Sequence, residues 1–587
     1  MPYYSFLSAF LTLSSIVNVQ GWIWECYSGS CVREHSIDES FNKSQVFPSV
    51  EICRLVCGSN GPIWPKPSLY EATDKALIFV NAKNAVIHFS TSTEAESNFL
   101  REVESYFMEA VNKMTEQQNC QRTQYKLVIS LNSKTPSLHL NWMTEEKYDL
   151  HITTDEDTKT LRVRITGETV FGVRHGVESL LQLIELFEDN EQTCFISQRG
   201  VNITDQPYYR HRGLLIDSGR NFLSVETIKR NIDGMALSKM NVLHWHLTDT
   251  QSFPFVSARL PNMSIYGAYS GAQTYSAYQI TDLIQYAKVR GIRIIPEIDG
   301  PAHAGSGWQW GPEASLGNLV VCYNQQPYRS YCIQPPCGQM NPANQNLYFV
   351  LQNLYADLID LWTESDVFHM GGDEVYTPCW NSTEEIVNYL RGNRSEEAFL
   401  NLWAEYQEKA LNAFDIANHY KNSSVILWTS SLTDPSHIEQ YLPKDRYIIQ
   451  TWVPTSDTLP EELLNLGYKL IISTKDSWYL DHGFWGTTTY YTWRKVYDNK
   501  ILTSPSVLGG EVCMWGELVD DNNIESRAWP RAAAAAERLW SNPSTPSTAA
   551  SSRFFAHTDR LIKKGIKASP VVPGFCSVSE ADCATYL

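Results

Sequence analysis

Residues 213–249 read GLLIDSGRNFLSVETIKRNIDGMALSKMNVLHWHLTD, and the rhythm of this stretch decides the fold. A short apolar run at 213–218 ends on polar residues, an amphipathic stretch at 225–239 follows, and a second apolar run at 242–247 ends on polar residues again. Short runs of β-formers alternating with longer 3.6-period stretches are the pattern of parallel strands joined by helices. Toward the carboxyl terminus the pattern returns at 293–298, 367–370, 425–429, 447–452, 469–473 and 507–514, with helical stretches at 277–289 and 396–417 and an Ala-rich one at 531–539. Eight such repeats predict an α/β chain whose residues 206–587 form a (β/α)8 TIM barrel. An open doubly wound sheet is the competing arrangement. It would place a Gly-rich phosphate loop after the first strand, and none is there.

Toward the amino terminus the character changes. Residues 68–205 carry strand-like runs at 76–80 and 125–130 and a helix-like run at 173–186, which predict a smaller α+β domain without evident chemistry. Pro62, Pro65 and Pro67 predict a linker into it from a cysteine-rich segment at 22–67. There Cys26, Cys31, Cys53 and Cys57 suit nested disulfides; a metal site is the alternative, but no His-Cys spacing supports it. Residues 1–21 contain no Lys or Arg and run apolar over 6–17, which predicts a signal peptide cleaved before Trp22 and too short to span a membrane.

A chain of 587 residues with 43% hydrophobic content has enough apolar surface for more than one core. The 13 cysteines, together with sequons at Asn42, Asn202, Asn262, Asn381, Asn393 and Asn422, agree with an oxidising, glycosylating route. An odd count leaves one thiol over, and Cys513, in an apolar strand-like run, is expected to be the free one. The net charge of -18 argues against nucleic acid or an anionic membrane as partner. The 18 Trp and 31 Tyr instead supply many flat faces of the kind that lie against sugar rings.

In a TIM barrel the site is built at the carboxyl ends of the strands. Those ends carry Asp217, Ser218 and Arg220; His246 and Asp249; Glu297, Asp299 and His303; Asp373 and Glu374; Trp428; Trp452; Asp476, Trp478, Tyr479 and Asp481; and Trp515 with Glu517. The sharpest element is His369-Met370-Gly371-Gly372-Asp373-Glu374, where two glycines allow the bend that lets consecutive carboxylates leave an apolar strand together. A solvated Asp-Glu in a loop is the plainer reading, and the buried strand before it counts against that.

Five motifs in order carry a resemblance to a known family: residues 215–220 (LIDSGR), 241–249 (NVLHWHLTD), 296–303 (PEIDGPAH), 371–374 (GGDE) and 510–517 (GEVCMWGE). The chain resembles the family 20 glycoside hydrolases, the β-N-acetylhexosaminidases, over nearly its whole length. The resemblance implies a zincin-like fold for 68–205, a homodimer, no cofactor and no metal. It implies an exo-acting retaining hydrolase in which the substrate's own acetamide attacks the anomeric carbon. Glu374 is then the acid and base, and Asp373 the acceptor of the acetamide N–H. His303 and Asp249 stand behind Glu374, and Tyr479 orients the acetamide oxygen. Trp428, Trp452 and Trp515 wall the pocket, and Arg220, Asp481 and Glu517 bind the terminal hydroxyls. On this division of labour Glu374 is expected to rest protonated and Asp373 charged.

Within the family the chain looks closest to insect-type enzymes acting on chitooligosaccharides, with N-glycan trimming as the alternative and secretion, or a lysosomal or vesicular address, as the location. The cysteine cluster and residues 490–495 (YYTWRK) carry that likeness, which makes Trp493 a platform for a second sugar. A departure is the segment 322–326 (CYNQQ), which lacks the acidic residue expected beside that sugar. The likeness further implies bridges Cys26–Cys57, Cys31–Cys53, Cys322–Cys379 and Cys576–Cys583, which leaves Cys332–Cys337 and Cys120–Cys194. Two rivals from other classes remain: a zinc hydrolase using His244, His246 and Asp249, and a catalytically silent carbohydrate-binding protein on the same scaffold.

Overall fold

The computed structural model describes residues 22–578 except 28, 36–45, 117, 189–190 and 365. The expected signal peptide, the sequon at Asn42 and the Cys576–Cys583 bridge, which needs Cys583, lie outside the described residues. Eight parallel strands close into a barrel: β1 (His211–Asp217), β2 (Val242–Thr248), β3 (Arg293–Ile298), β4 (Val367–His369), β5 (Ser424–Trp428), β6 (Tyr447–Thr451), β7 (Lys469–Ile472) and β8 (Val507–Met514). Each pairs with the next, and β8 pairs back onto β1. Strands β1, β2, β6 and β8 are buried along their whole length, as expected where helices cover one face of the sheet and the barrel interior the other.

The barrel interior is graded. Near the amino ends of the strands, Val242, Ile295, Val367, Ile426, Ile448, Ile471 and Leu508 form one apolar layer, with Trp142 from the smaller domain packed against it. Toward the carboxyl ends the inward side chains turn polar and aromatic. This gradient is what places chemistry at one mouth of the barrel.

The smaller domain is a six-stranded mixed sheet, built from Leu69–Ser90, Tyr125–Ser133, Tyr148–Asp155, Thr160–Gly167, Glu185–Glu188 and Thr193–Asp205, with helices Glu94–Met114 and Val170–Leu181 packed against it. The helix expected over 173–186 ends earlier. Gln182 leaves it to exchange two hydrogen bonds with the Trp64 backbone, each 2.8 Å, and the chain then pairs as the strand Glu185–Glu188. For the same reason Pro62–Pro67 is not a free linker: Trp64 is fully buried, and its Nε1 donates to Ala533 O at 3.0 Å.

Buried ion pairs hold the two units together. Arg212 at the start of β1 donates to both Glu146 oxygens, at 3.0 and 2.5 Å, and His175 lies 2.9 Å from the same carboxylate. Burial alone would raise Glu146, but Arg212 and then His175 outweigh it and hold the carboxyl at about 2. Lys239 reaches Asp205, Tyr148 and Ser179 at 2.9, 2.8 and 3.0 Å. Among the described residues, five disulfides are formed, Cys26–Cys57, Cys31–Cys53, Cys120–Cys194, Cys322–Cys379 and Cys332–Cys337, and Cys513 is a free, buried thiol. Among the described residues, no helix is long and apolar enough to cross a membrane.

Candidate active site

A pocket of about 410 Å³ opens at the carboxyl mouth of the barrel. Strand β4 stops at His369, and Gly371 and Gly372 follow with φ of 65° and 94°. A Cβ on Gly371 would fall 1.7 Å from Asp299 Oδ1, so only glycine lets the chain pass there. Gly372 N donates to that same oxygen at 2.9 Å. The turn breaks the alternation of a regular strand, so Asp373 and Glu374 both line the pocket. Glu374 and His303 are themselves left-handed, with φ of 51° and 53°, a strain of about 1 kcal/mol or more each of the kind concentrated at functional sites.

Behind Glu374 stands a relay. Glu374 Oε2 lies 3.5 Å from His303 Nε2, and His303 Nδ1 lies 3.3 Å from Asp249 Oδ1. Burial would lower His303, but Asp249 and then Glu374 outweigh it and hold the imidazole well above its ordinary value. Burial would likewise raise Glu374, yet the hydrogen bond and charge of His303, then Arg220, hold it below the ordinary carboxylate range. Asp373 goes the other way, up to about 6, through burial and the nearby charges of Glu374 and Glu297, against the opposing pull of His303. Asp299 beside it is pushed well above the ordinary carboxylate range by burial and then by Asp373. The order of the two acids therefore differs from the expectation: Glu374, beside His303 and partly exposed, holds its proton less tightly than Asp373, which is buried next to other acids.

One end of the pocket is closed by charge. Arg220 Nη1 donates to Asp217 Oδ2 at 2.9 Å and lies 3.3 Å from Asp249, while its Nε lies 3.8 Å from Glu517. Asp481 accepts from Trp485 Nε1 at 2.9 Å; burial, then Glu517, raises its carboxyl to about 7. The walls are aromatic: Trp428, Trp452, Tyr479 and Trp515 pack into one cluster with Leu215 and Cys513. Trp428 Nε1 donates to Glu297 at 2.8 Å, and Trp452 Nε1 donates to Thr429 O at 2.7 Å, so both rings are fixed edge-on by hydrogen bonds. Trp452, Tyr479 and Trp515 line the cavity directly, whereas Trp428, expected as a wall, is 1% exposed and packs behind Trp515.

Trp493 is a correction. It is 5% exposed and stacks on Phe554 at 4.1 Å and 18°, so its face is already covered and it offers no platform for a sugar. Trp478 and Asp476 also stay out of the pocket: Trp478 donates to Val496 O at 3.0 Å, and Asp476 accepts from Thr455 at 2.9 Å. Nor do residues 322–326 line the cavity. The neighbouring loop does, through Tyr328, Ile333, Gln334 and Pro335, and Gln334 bridges Arg220 Nη2 (3.0 Å) to Glu517 Oε1 (3.1 Å). These residues, with Trp485, escaped sequence reasoning because a loop has no periodicity; the closely spaced Cys332 and Cys337 were the available signal.

The zinc alternative does not fit the hydrogen bonding. His244 Nδ1 is taken by Glu511 at 2.7 Å, and both His246 nitrogens face carboxylates, Glu297 at 2.7 Å and Asp249 at 2.8 Å, so their lone pairs and protons are already committed.

Comparison with known proteins adds an independent line. Residues 209–543 match the glycosyl hydrolase family 20 catalytic domain, and residues 63–183 match the beta-acetyl hexosaminidase like domain. A chitooligosaccharidolytic beta-N-acetylglucosaminidase of Ostrinia furnacalis is 36% identical over 99% of both chains. One of Bombyx mori is 36% identical over 96% of this chain and 95% of its own. The beta-hexosaminidase subunit beta of Felis catus is 32% identical over 89% and 95%. Among solved structures, the Flavobacterium johnsoniae chitobiase shares the fold with a TM-score of 0.67 at 23% identity, covering 86% of this chain and 73% of that one.

Proposed function

The chain belongs to glycosyl hydrolase family 20 and is a β-N-acetylhexosaminidase; from that premise we propose that Asp373 and Glu374 carry its substrate-assisted chemistry. The observation that supports this is their joint exposure, from consecutive positions, in one aromatic-walled pocket whose far end is closed by Arg220, Asp481 and Glu517. Adjacent acids do not suit the usual retaining geometry, in which two carboxyls stand about 5 Å apart across the sugar. They do suit an arrangement in which one steers the substrate's acetamide and the other moves the proton.

Binding shifts both acids toward these roles. A sugar ring covering the exposed edge of Glu374, whose side chain is 26% exposed, removes water and favours its neutral form. The acetamide N–H donating to Asp373 favours its charged form. Substrate thus draws the proton toward Glu374, which donates it to the leaving oxygen while the acetamide oxygen, oriented by Tyr479, attacks the anomeric carbon. Asp373 stabilises the positive charge that develops on the acetamide. Glu374 then deprotonates the water that opens the cyclic intermediate, returning the sugar with its configuration retained. Trp452 and Trp515 hold the ring and exclude water, with Trp428 packed behind them. Arg220, Asp481 and Glu517 bind the terminal hydroxyls, and an exo action follows from a terminal sugar held there.

We further read the substrate as a chitooligosaccharide, on the printed activities of the Ostrinia and Bombyx relatives and on the partly exposed Tyr328 and Trp485 at the mouth, which suit a second ring. The disulfides and sequons support a secreted protein. The test is a pair of variants on a chromogenic β-GlcNAc: Glu374→Gln is expected to lose about 10²–10⁴ in kcat on substrates with poor leaving groups, and Asp373→Asn to keep binding while slowing the first step. Near-normal turnover in either, or equal cleavage of a substrate without its N-acetyl group, overturns the reading.

A further inference from the structure

Inward from the pocket, carboxylates and imidazoles follow one another without a break. Glu374 lies 3.5 Å from His303, His303 lies 3.3 Å from Asp249 Oδ1, and Asp249 Oδ2 lies 2.8 Å from His246 Nε2. The other nitrogen of that ring, Nδ1, lies 2.7 Å from Glu297 Oε2. The same oxygen lies 2.9 Å from His244 Nε2, and His244 Nδ1 lies 2.7 Å from Glu511 Oε1. Seven groups therefore alternate across the barrel, from the mouth through β2 and β3 to the wall at β8. The interior of a barrel this size is ordinarily filled by branched apolar side chains, as its lower layer is here. Buried ions in that space need close partners at every step, and the alternation supplies them.

The charges follow the geometry. Burial would lower His244, yet Glu511 and Glu297 raise it to about 9, and Glu297 and Asp249 hold His246 well above its ordinary value. Burial would raise the three interior carboxyls, and their imidazole neighbours, with Arg220 at Asp249, hold all of them down. The other groups facing the array are accounted for. His246 meets Asp217 from β1, Asp299 from the segment after β3, and the Trp515 ring at 5.1 Å. Glu297 accepts from Trp428 and lies 3.2 Å from His369 of β4, whose proton affinity burial lowers. Glu511 is reached by His211 of β1, likewise lowered by burial, and by Gln450 of β6. Arg220 closes the array at Asp249.

We propose that His246 is a positioning residue for the acid–base carboxyl: supported by Glu297, His244 and Glu511, it aims Asp249 at His303 and thereby sets the pH window in which Glu374 takes up and releases its proton. This rests on Glu374 being the acid–base group. The direction is fixed by sign. His246 is a cation on the Glu374 side of the array, so removing its charge leaves Asp249 less neutralised and makes Glu374 hold its proton more tightly. At a separation on the order of 10 Å and an effective dielectric of about 20, one charge moves a titration by about one pH unit.

The experiment is His246→Gln, which keeps a neutral donor toward Asp249, assayed as kcat/KM against pH on an aryl β-GlcNAc with a poor leaving group. The alkaline limb is expected to move up by about one pH unit, so that activity on that limb, relative to the variant's own plateau, rises about tenfold. His244→Gln, one link further away, is expected to shift it the same way by less. A merely structural role lowers the plateau and the thermal midpoint and leaves the limb where it was; that result in a folded His246→Gln overturns the proposal. If neither variant folds, the ¹⁵N imidazole spectrum of the unmodified protein decides, since an absence of doubly protonated buried rings at neutral pH also overturns it. Glu374→Gln run alongside separates the two failures: full activity there sinks the acid–base assignment, whereas its loss together with an unmoved limb in His246→Gln sinks only this inference.

Discussion

Gly371→Ala is a severe test of how the acids are presented. The added methyl would sit 1.7 Å from Asp299 Oδ1 and 2.2 Å from its Cγ, on a backbone with φ of 65°. The left-handed conformation costs an alanine about 1 kcal/mol, and relieving an overpacked contact costs typically 1–3 kcal/mol more, so a loss of about 2–4 kcal/mol is expected. Relief can come only from moving Asp299 or the turn itself, and a displacement of about 1 Å in a catalytic group costs on the order of 10² in rate. Gly372→Ala is the control, because its methyl meets Leu427 Cδ2 at 3.2 Å and Gly300 O no nearer than 4.0 Å, although φ is 94°. It should cost about 1 kcal/mol of stability and far less activity. The assay is thermal unfolding together with kcat/KM on a chromogenic β-GlcNAc. If both alanines behave alike, or Gly371→Ala turns over normally, Asp299 does not template the turn that delivers Asp373 and Glu374.

Further expectations follow from other groups. Asp481 is raised from 3.8 to about 7, so its neutral form favours folding: that stability is full below pH 4 and is lost as pH rises through 7, to the extent of roughly 2–4 kcal/mol. Asp481→Asn should therefore raise the thermal midpoint at pH 7.5 while weakening substrate binding, and a lowered midpoint would contradict the burial argument. Trp493→Ala should cost about 3–5 kcal/mol in unfolding free energy without a selective change in KM for longer chitooligosaccharides, whereas Trp485→Ala should raise that KM; the opposite split in a chain-length series would restore Trp493 as a platform. Glu146→Gln leaves Arg212 buried without its anion and should cost about 3–5 kcal/mol, read by chemical denaturation.

The barrel was legible because its strands are buried on both faces and so appear as unbroken apolar runs with polar ends; 277–289 and 396–417 were legible as helices because their apolar faces keep one period throughout. The Gly-Gly-Asp-Glu turn was legible because glycine pairs have few other reasons to end a buried strand. Proton placement was not. Glu374 and Asp373 are neighbours in sequence, and only the folded chain sets His303 beside one and Asp299 beside the other. The loop with Gln334 follows no period, and Trp493 has the composition of a sugar platform but spends its face on Phe554, a contact between residues 61 positions apart in the chain.

The bridge between Cys332 and Cys337 spans five positions, and its loop presents Gln334 between Arg220 and Glu517. Nothing in the eight-stranded scaffold depends on that staple, yet the contour of the binding mouth does. A Cys332→Ser/Cys337→Ser protein should consequently keep the secondary structure and bulk of the native enzyme while handling sugars differently, so the redox state of this one bridge belongs in any specificity measurement.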